Sequence, residues 1–260
     1  MSKQANPTSP TRHREALRRR QQAQAAAERR MKTVVRAVWI AGVIVIAVVI
    51  GVTVWAVGNA RSSAAGPGTG ALITPASATE AGAIRFGKDD AKVTVTVYAD
   101  FMCPYCGQFE RANGEALRSA VTAGTIALDI HPMSFLDPQS AGSKYSTRAA
   151  NAFVTIAETD PDAALRFNQL LFANQPTEGS TGLSDQQLAT FATQAGAPSA
   201  VVATFGEQRF VPWIEKITQQ AFDSGITGTP TVRINGQAFT GDLYTPGPLT
   251  RAIQQAASGA

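Results

Sequence analysis

The sequence predicts an α/β domain with an inserted helical domain, preceded by a single N-terminal transmembrane helix. Three observations lead there. Ala37–Val57 is a run of 21 residues without a charge. Val93–Tyr98 alternates β-branched residues as a strand does and passes within a few residues into a helical pattern. Residues 143–222 keep helical spacing and lie between two further strand-like runs, Thr125–His131 and Thr231–Ile234.

The first 36 residues hold 10 Lys+Arg against 2 Asp+Glu, whereas residues 37–260 hold 13 against 17. The net charge of +4 therefore belongs to the leader, and the remainder offers no aromatic-studded basic surface for nucleic acid. Residues 1–36 read as a basic cytoplasmic leader. Residues 37–57 read as the anchor, since 21 residues at about 1.5 Å each span a hydrocarbon core of about 30 Å. Trp39 and Trp55 lie near its two ends, where indole rings favour the interface. The run is longer than the apolar region of a secretory signal, although Gly58 and Ala60 leave cleavage open. Arg29, Arg30, Lys32 and Arg36 crowd its N-terminal flank, so the positive-inside rule places the N-terminus in the cytoplasm and everything after residue 58 outside. Residues 58–80, rich in Gly, Ala, Ser, Thr and Pro, read as a flexible linker, and residues 81–260 as the folded domain.

The only two cysteines stand three positions apart in Cys103-Pro104-Tyr105-Cys106. A disulfide-stapled scaffold needs more cysteines, spread more widely. A zinc site needs four ligands, and the histidines, His13 and His131, do not supply them; no metal is expected. A purely structural disulfide in so short a loop constrains the unfolded chain little. Redox chemistry remains. Pro104 suits the first helical position, where its missing N–H costs nothing, so Cys103 becomes a helix N-cap. A sulfur there faces unpaired N–H groups and the positive end of the helix dipole, which lowers its pKa from about 8.5. Cys106 falls in the first turn, on a more buried side, placed to resolve a mixed disulfide. Cys103 is thus the expected nucleophile and Cys106 the resolving thiol. Asp100 is placed either to help proton transfer to and from Cys106 or to serve as a surface or capping group. His131 reads as a strand-end surface residue.

A second motif, Gly225-Ile226-Thr227-Gly228-Thr229-Pro230, leads into Thr231–Ile234. Pro230 is either an ordinary turn proline or the site of a cis bond. Asn235-Gly236 signals a type I′ hairpin, with Gln237–Thr240 returning. Thr125–His131 reads as a parallel strand reached by a right-handed crossover. Within 143–222, Asp160-Pro161 reads as a cap with proline following, and Ser184 to Gln187 as a capping box. A last helix is expected near Pro248–Ala256.

The stretches YADFMCPYCGQFE and GITGTPTVRING together resemble the DsbA-like branch of the thioredoxin-fold superfamily, over roughly residues 80–257. The resemblance implies a thioredoxin fold with the helical segment as an inserted lid, a cis peptide at Pro230, and substrate contact through Thr229, to which an extended peptide adds as a strand. It implies a protein thiol–disulfide oxidoreductase with no cofactor beyond the Cys103–Cys106 dithiol.

The direction of transfer is less determined. Many DsbA-like oxidases carry histidine where this chain has Tyr105, and a neutral phenol gives a thiolate no positive charge. Thr229 replaces a valine common in oxidases, and Thr–Pro with CPYC is similar to the isomerase and reductase branch. Those proteins usually dimerise through an N-terminal domain, for which 59–80 is too short, so a monomeric oxidase of exported protein thiols is expected, recharged by a membrane partner of DsbB or VKOR type. A reductase or isomerase, and a peptide-binding chaperone module, are the alternatives.

Overall fold

The computed structural model describes residues 71–259. The leader, the apolar run 37–57 and the linker as far as residue 70 lie outside the described residues. From Ile73 onward the chain already lies against the domain. Ser77 donates through both N and Oγ to Glu158, and Ala78 bridges to Ile84.

Two strands follow, β1 (Ile84–Phe86) and β2 (Val93–Ala99). In β2 the valines at 93, 95 and 97 are buried while Thr94 and Thr96 are half-buried, as period-2 alternation requires. Helix α1 (Pro104–Thr122) leads to β3 (Ile126–Pro132), which is buried along its whole length. β2 and β3 are parallel, with Val93 opposite Ile126 and Val97 opposite Ile130, as expected of a β–α–β crossover. β4 (Thr231–Ile234) and β5 (Gln237–Ala238) complete a five-stranded sheet among the described residues, in the order β1-β3-β2-β4-β5. β1 is antiparallel to β3, and β4 to β2. Asn235 and Gly236 both take positive φ, at 50° and 80°, the type I′ turn read from the sequence. Asn235 also holds Thr94 of β2 by two 2.8 Å hydrogen bonds. The returning strand stops at Ala238, two residues short of the expected end.

The insertion between β3 and β4 contains α2 (Tyr145–Ala157), α3 (Pro161–Ala173), α4 (Asp185–Gln194), the single turn α5 (Ser199–Val202) and α6 (Val211–Asp223). Asp160 caps α3 by accepting from Ala163 N, and the capping box of Ser184 and Gln187 starts α4. A last helix, α7 (Pro248–Ser258), packs on α1 and β2. One apolar core runs through both parts: Val95 and Val97 of the sheet, Phe101 and Phe109 beside the cysteines, and Phe153 and Phe167 of the insertion belong to a single cluster.

His131 departs from the expected strand-end surface position. It is 3% exposed and stacks on Tyr98 at 4.1 Å between centroids. Burial, the largest influence, pushes its imidazole down to about 4, so it carries no charge at neutral pH. A lone polar residue ending an apolar run looks exposed in sequence; here neighbouring β2 covers it with an aromatic ring.

Candidate functional site

Cys103 is the N-cap of α1, with φ −69° and ψ 116°, and Pro104 follows at the first helical position. Both sulfurs are nearly enclosed: Cys103 is 5% exposed and Cys106 not at all. Both are free thiols. As a thiol, Cys103 Sγ donates to Thr229 O across 3.3 Å, so strands β2 and β4 bring together two motifs 126 residues apart. The peptide bond between Thr229 and Pro230 is cis.

This geometry separates the two thiols. Cys103 is lowered to about 6, first by the hydrogen bond from the Cys106 thiol, against an opposing effect of burial. The Thr229 side chain and the N–H groups of Cys106 and Tyr105 add to the effect. Cys106 is pushed well above the ordinary thiol value, first by burial and then by Cys103 itself. At neutral pH the outer sulfur is largely thiolate, and nucleophilic, while the inner one keeps its proton. Tyr105 is 57% exposed and packs on Tyr244, with ring centroids 5.9 Å apart, forming an aromatic rim.

Asp100 is fully buried, so the surface position left open by the sequence does not occur. Its Oδ1 accepts from Met102 N and Ser146 Oγ, and its Oδ2 from Leu136 N. The side chain staples the segment before Cys103 to the start of α2. Burial is the largest influence on it and pushes its carboxyl up to about 7.

Glu110 is a residue that the sequence reading missed. It lies one turn beyond Cys106 on α1, and both line a cavity of about 30 Å³ with Phe109, Leu165, Asn168 and Phe172. That is room for about one water. A side chain at Gly114 would collide with the Glu110 carboxyl, so this glycine keeps the space. Burial, partly offset by Asn168, pushes Glu110 up to about 7, so it can hold or release a proton beside the thiol that needs one. The sequence signal was available, an acid four residues after Cys106, but an acid there reads as a solvated helix face until α3 covers it.

A Glu110→Gln variant tests this. Glu110 binds its proton more tightly folded than unfolded, so stability falls as pH rises from 4.5 to about 7. Glutamine removes that slope and is expected to stabilise the domain at pH 7.5 by ~1–3 kcal/mol. It should also slow resolution of mixed disulfides by about tenfold or more. Denaturation at pH 5 and 7.5, with stopped-flow exchange, checks both; an unchanged pH slope refutes the assignment.

No group of three or more metal-ligating side chains converges among the described residues. The dithiol itself is what can carry electrons.

The comparisons agree with this geometry. A family model described as Thioredoxin matches residues 79–255. The reduced form of the disulfide bond oxidoreductase DsbG from Mycobacterium tuberculosis is 30% identical at a TM-score of 0.59, covering 67% of this chain and 86% of that one. Reduced DsbA from the same organism is 28% identical at a TM-score of 0.55, covering 68% and 98%. The serine/threonine-protein kinase PknE of M. tuberculosis is 34% identical over 120 residues, 44% of this chain but only 21% of that protein. This chain therefore matches about a fifth of the kinase's length. The chain belongs to the thioredoxin family, among its DsbA-like disulfide oxidoreductases.

Proposed function

We propose that this protein is an extracytoplasmic thiol–disulfide oxidoreductase, anchored in the cell membrane by residues 37–57 with its N-terminus in the cytoplasm. It oxidises the thiols of exported proteins through Cys103 and Cys106. The observation that carries the reading is the split between the two thiols: Cys103 held at about 6, Cys106 raised well above the ordinary value. A stabilised Cys103 thiolate favours the reduced protein, and a protein whose reduced form is stabilised is an oxidant. Tyr105 contributes no positive charge; the stabilisation comes from Cys106, Thr229 and the helix N–H groups instead.

In the forward reaction a substrate thiolate attacks Cys103 Sγ in the Cys103–Cys106 disulfide. The S–S bond breaks, and Cys106 leaves with the electron pair and takes a proton. A second substrate thiolate then attacks the substrate sulfur of the mixed disulfide, and Cys103 leaves as the thiolate. The substrate loses two electrons and the protein gains them. Thr229, beside Pro230, presents backbone to an extended substrate. A membrane partner of DsbB or VKOR type reoxidises the dithiol, and the domain works as a monomer.

The thiol split also suits the reverse direction, so a reductase or isomerase fed by a membrane electron carrier is the second reading. The redox state of the pair in cells separates them: oxidised supports the first, reduced the second. The general test is Cys106→Ala, which removes the resolving thiol. Its Cys103 thiolate should attack disulfides of exported proteins, releasing one substrate thiolate, and accumulate as mixed disulfides seen as adducts that reductant dissolves. A trap that recovers no partner sinks the proposal.

A further inference from the structure

Gln175 lies in the helical insertion, 72 residues from Cys103 in sequence, yet its amide nitrogen donates to Cys103 O at 2.8 Å and to Phe101 O at 3.1 Å. Two carbonyls within reach of one group require the nitrogen there and fix the orientation of the amide. Its oxygen lies over Gly107, where an added side chain would collide with it. Glycine inside a helix is otherwise disfavoured, so Gly107 reads as space kept for this amide. Pro176 follows directly and keeps the Gln175 backbone out of the helical region, so the chain leaves α3 here.

The carbonyl that Gln175 holds also starts the helix. Cys103 O accepts from Gly107 N at 3.2 Å, the first backbone bond of α1. The orientation of that carbonyl is set by ψ of Cys103, and the same backbone geometry determines where the sulfur leaves the chain. We propose that Gln175 is a positioning residue for Cys103: reaching in from the helical insertion, it clamps the carbonyls of Phe101 and Cys103 and holds Cys103 in the N-cap conformation that presents its sulfur to the first turn of α1. The insertion is then more than a cover over the sheet. With Ser146, which bonds Asp100, it grips the Asp100–Cys103 segment at both ends. Any movement of the insertion on substrate binding reaches the reactive sulfur through these bonds.

The inference rests on the proposed thiol–disulfide chemistry only for its effect on turnover, because the state of Cys103 is measurable without a substrate. The full chain is reduced and its alkylation by iodoacetamide is followed against pH, for the wild type, Gln175→Met and Gly107→Ala. Methionine keeps the size of glutamine and brings no charge, but donates no hydrogen bond. Alanine at 107 leaves Gln175 intact and occupies the place of its amide, while improving helix propensity.

Both variants are expected to raise the alkylation midpoint by about one pH unit, with about a tenfold loss of thiolate at pH values below both midpoints. Turnover at neutral pH should fall with it and recover as pH rises, with KM little changed. If both variants keep the wild-type midpoint, the proposal is overturned, even where turnover or melting temperature falls, since that result assigns Gln175 to packing alone. A shifted midpoint in a protein that exchanges no disulfides upholds the inference and removes the functional reading instead.

Discussion

Exchanging Cys103 for serine is expected to abolish thiol–disulfide exchange by this protein while leaving its fold unchanged. The reacting species is the thiolate, and a serine hydroxyl does not ionise at any pH the protein survives. Cys106 cannot take over. It is fully enclosed and held protonated, with no approach for a substrate sulfur. The remaining support of the site is independent of sulfur: Gln175 still clamps the backbone, and Asp100 still joins the loop to α2. Oxidation of a reduced dithiol peptide should fall to the uncatalysed rate, with a melting temperature at pH 5, where the Cys103 thiol is protonated, close to that of the reduced wild type. The comparison with Cys106→Ala is informative, because that variant keeps the Cys103 thiolate, which attacks a substrate disulfide and then stalls as a mixed disulfide with no inner thiol to resolve it. A Cys103→Ser protein that supports cells as well as the wild type would point to the peptide-binding, non-enzymatic alternative.

Phe153→Ala is expected to cost ~3–5 kcal/mol, the range for removing a buried aromatic ring. Phe153, on α2, is fully buried. Its ring meets Phe86 of β1 at 5.8 Å and Phe101 of the active-site loop at 5.7 Å, and Phe101 continues to Phe172 of α3 at 5.2 Å. One ring therefore joins the sheet, the loop before Cys103 and the insertion. Against a typical total of about 5–15 kcal/mol the loss is severe. It should appear as a lower urea midpoint with the slope retained. The variant should also lose exchange activity at temperatures where it is still folded, as Phe101 shifts and takes the Asp100–Cys103 segment with it. A loss below ~1 kcal/mol would show that the sheet and insertion do not share one core.

Most of the fold was legible wherever local chemistry decides local geometry. Pro104 after Cys103, Pro161 after Asp160, Ser184 with Gln187, and Asn235-Gly236 each specify a cap or turn by their own stereochemistry, and each occurs as read. β2, β3 and β4 were legible because alternation and β-branching mark strands long enough to show a period. β1 was not, because three residues carry no period and its place is set by pairing with β3.

The site divides in the same way. From sequence alone came the dithiol, its position at a helix N-terminus and the order of the two thiols, because spacing along a strand–helix turn dictates where those groups lie; the partnership with Thr229 and Pro230 came only from the resemblance of the two motifs to the DsbA-like family. Tertiary structure alone decided what burial does to the acids and to histidine. Asp100 became a staple, Glu110 a proton-holding group beside Cys106, and His131 an uncharged core residue only once other elements closed over them. Gln175 carries no local signal, since the carbonyls it holds belong to a loop more than 70 residues earlier. The physical reason is range. Caps, turns and helix dipoles act over a few residues and are written in sequence order, whereas desolvation depends on which distant surface comes to cover a group.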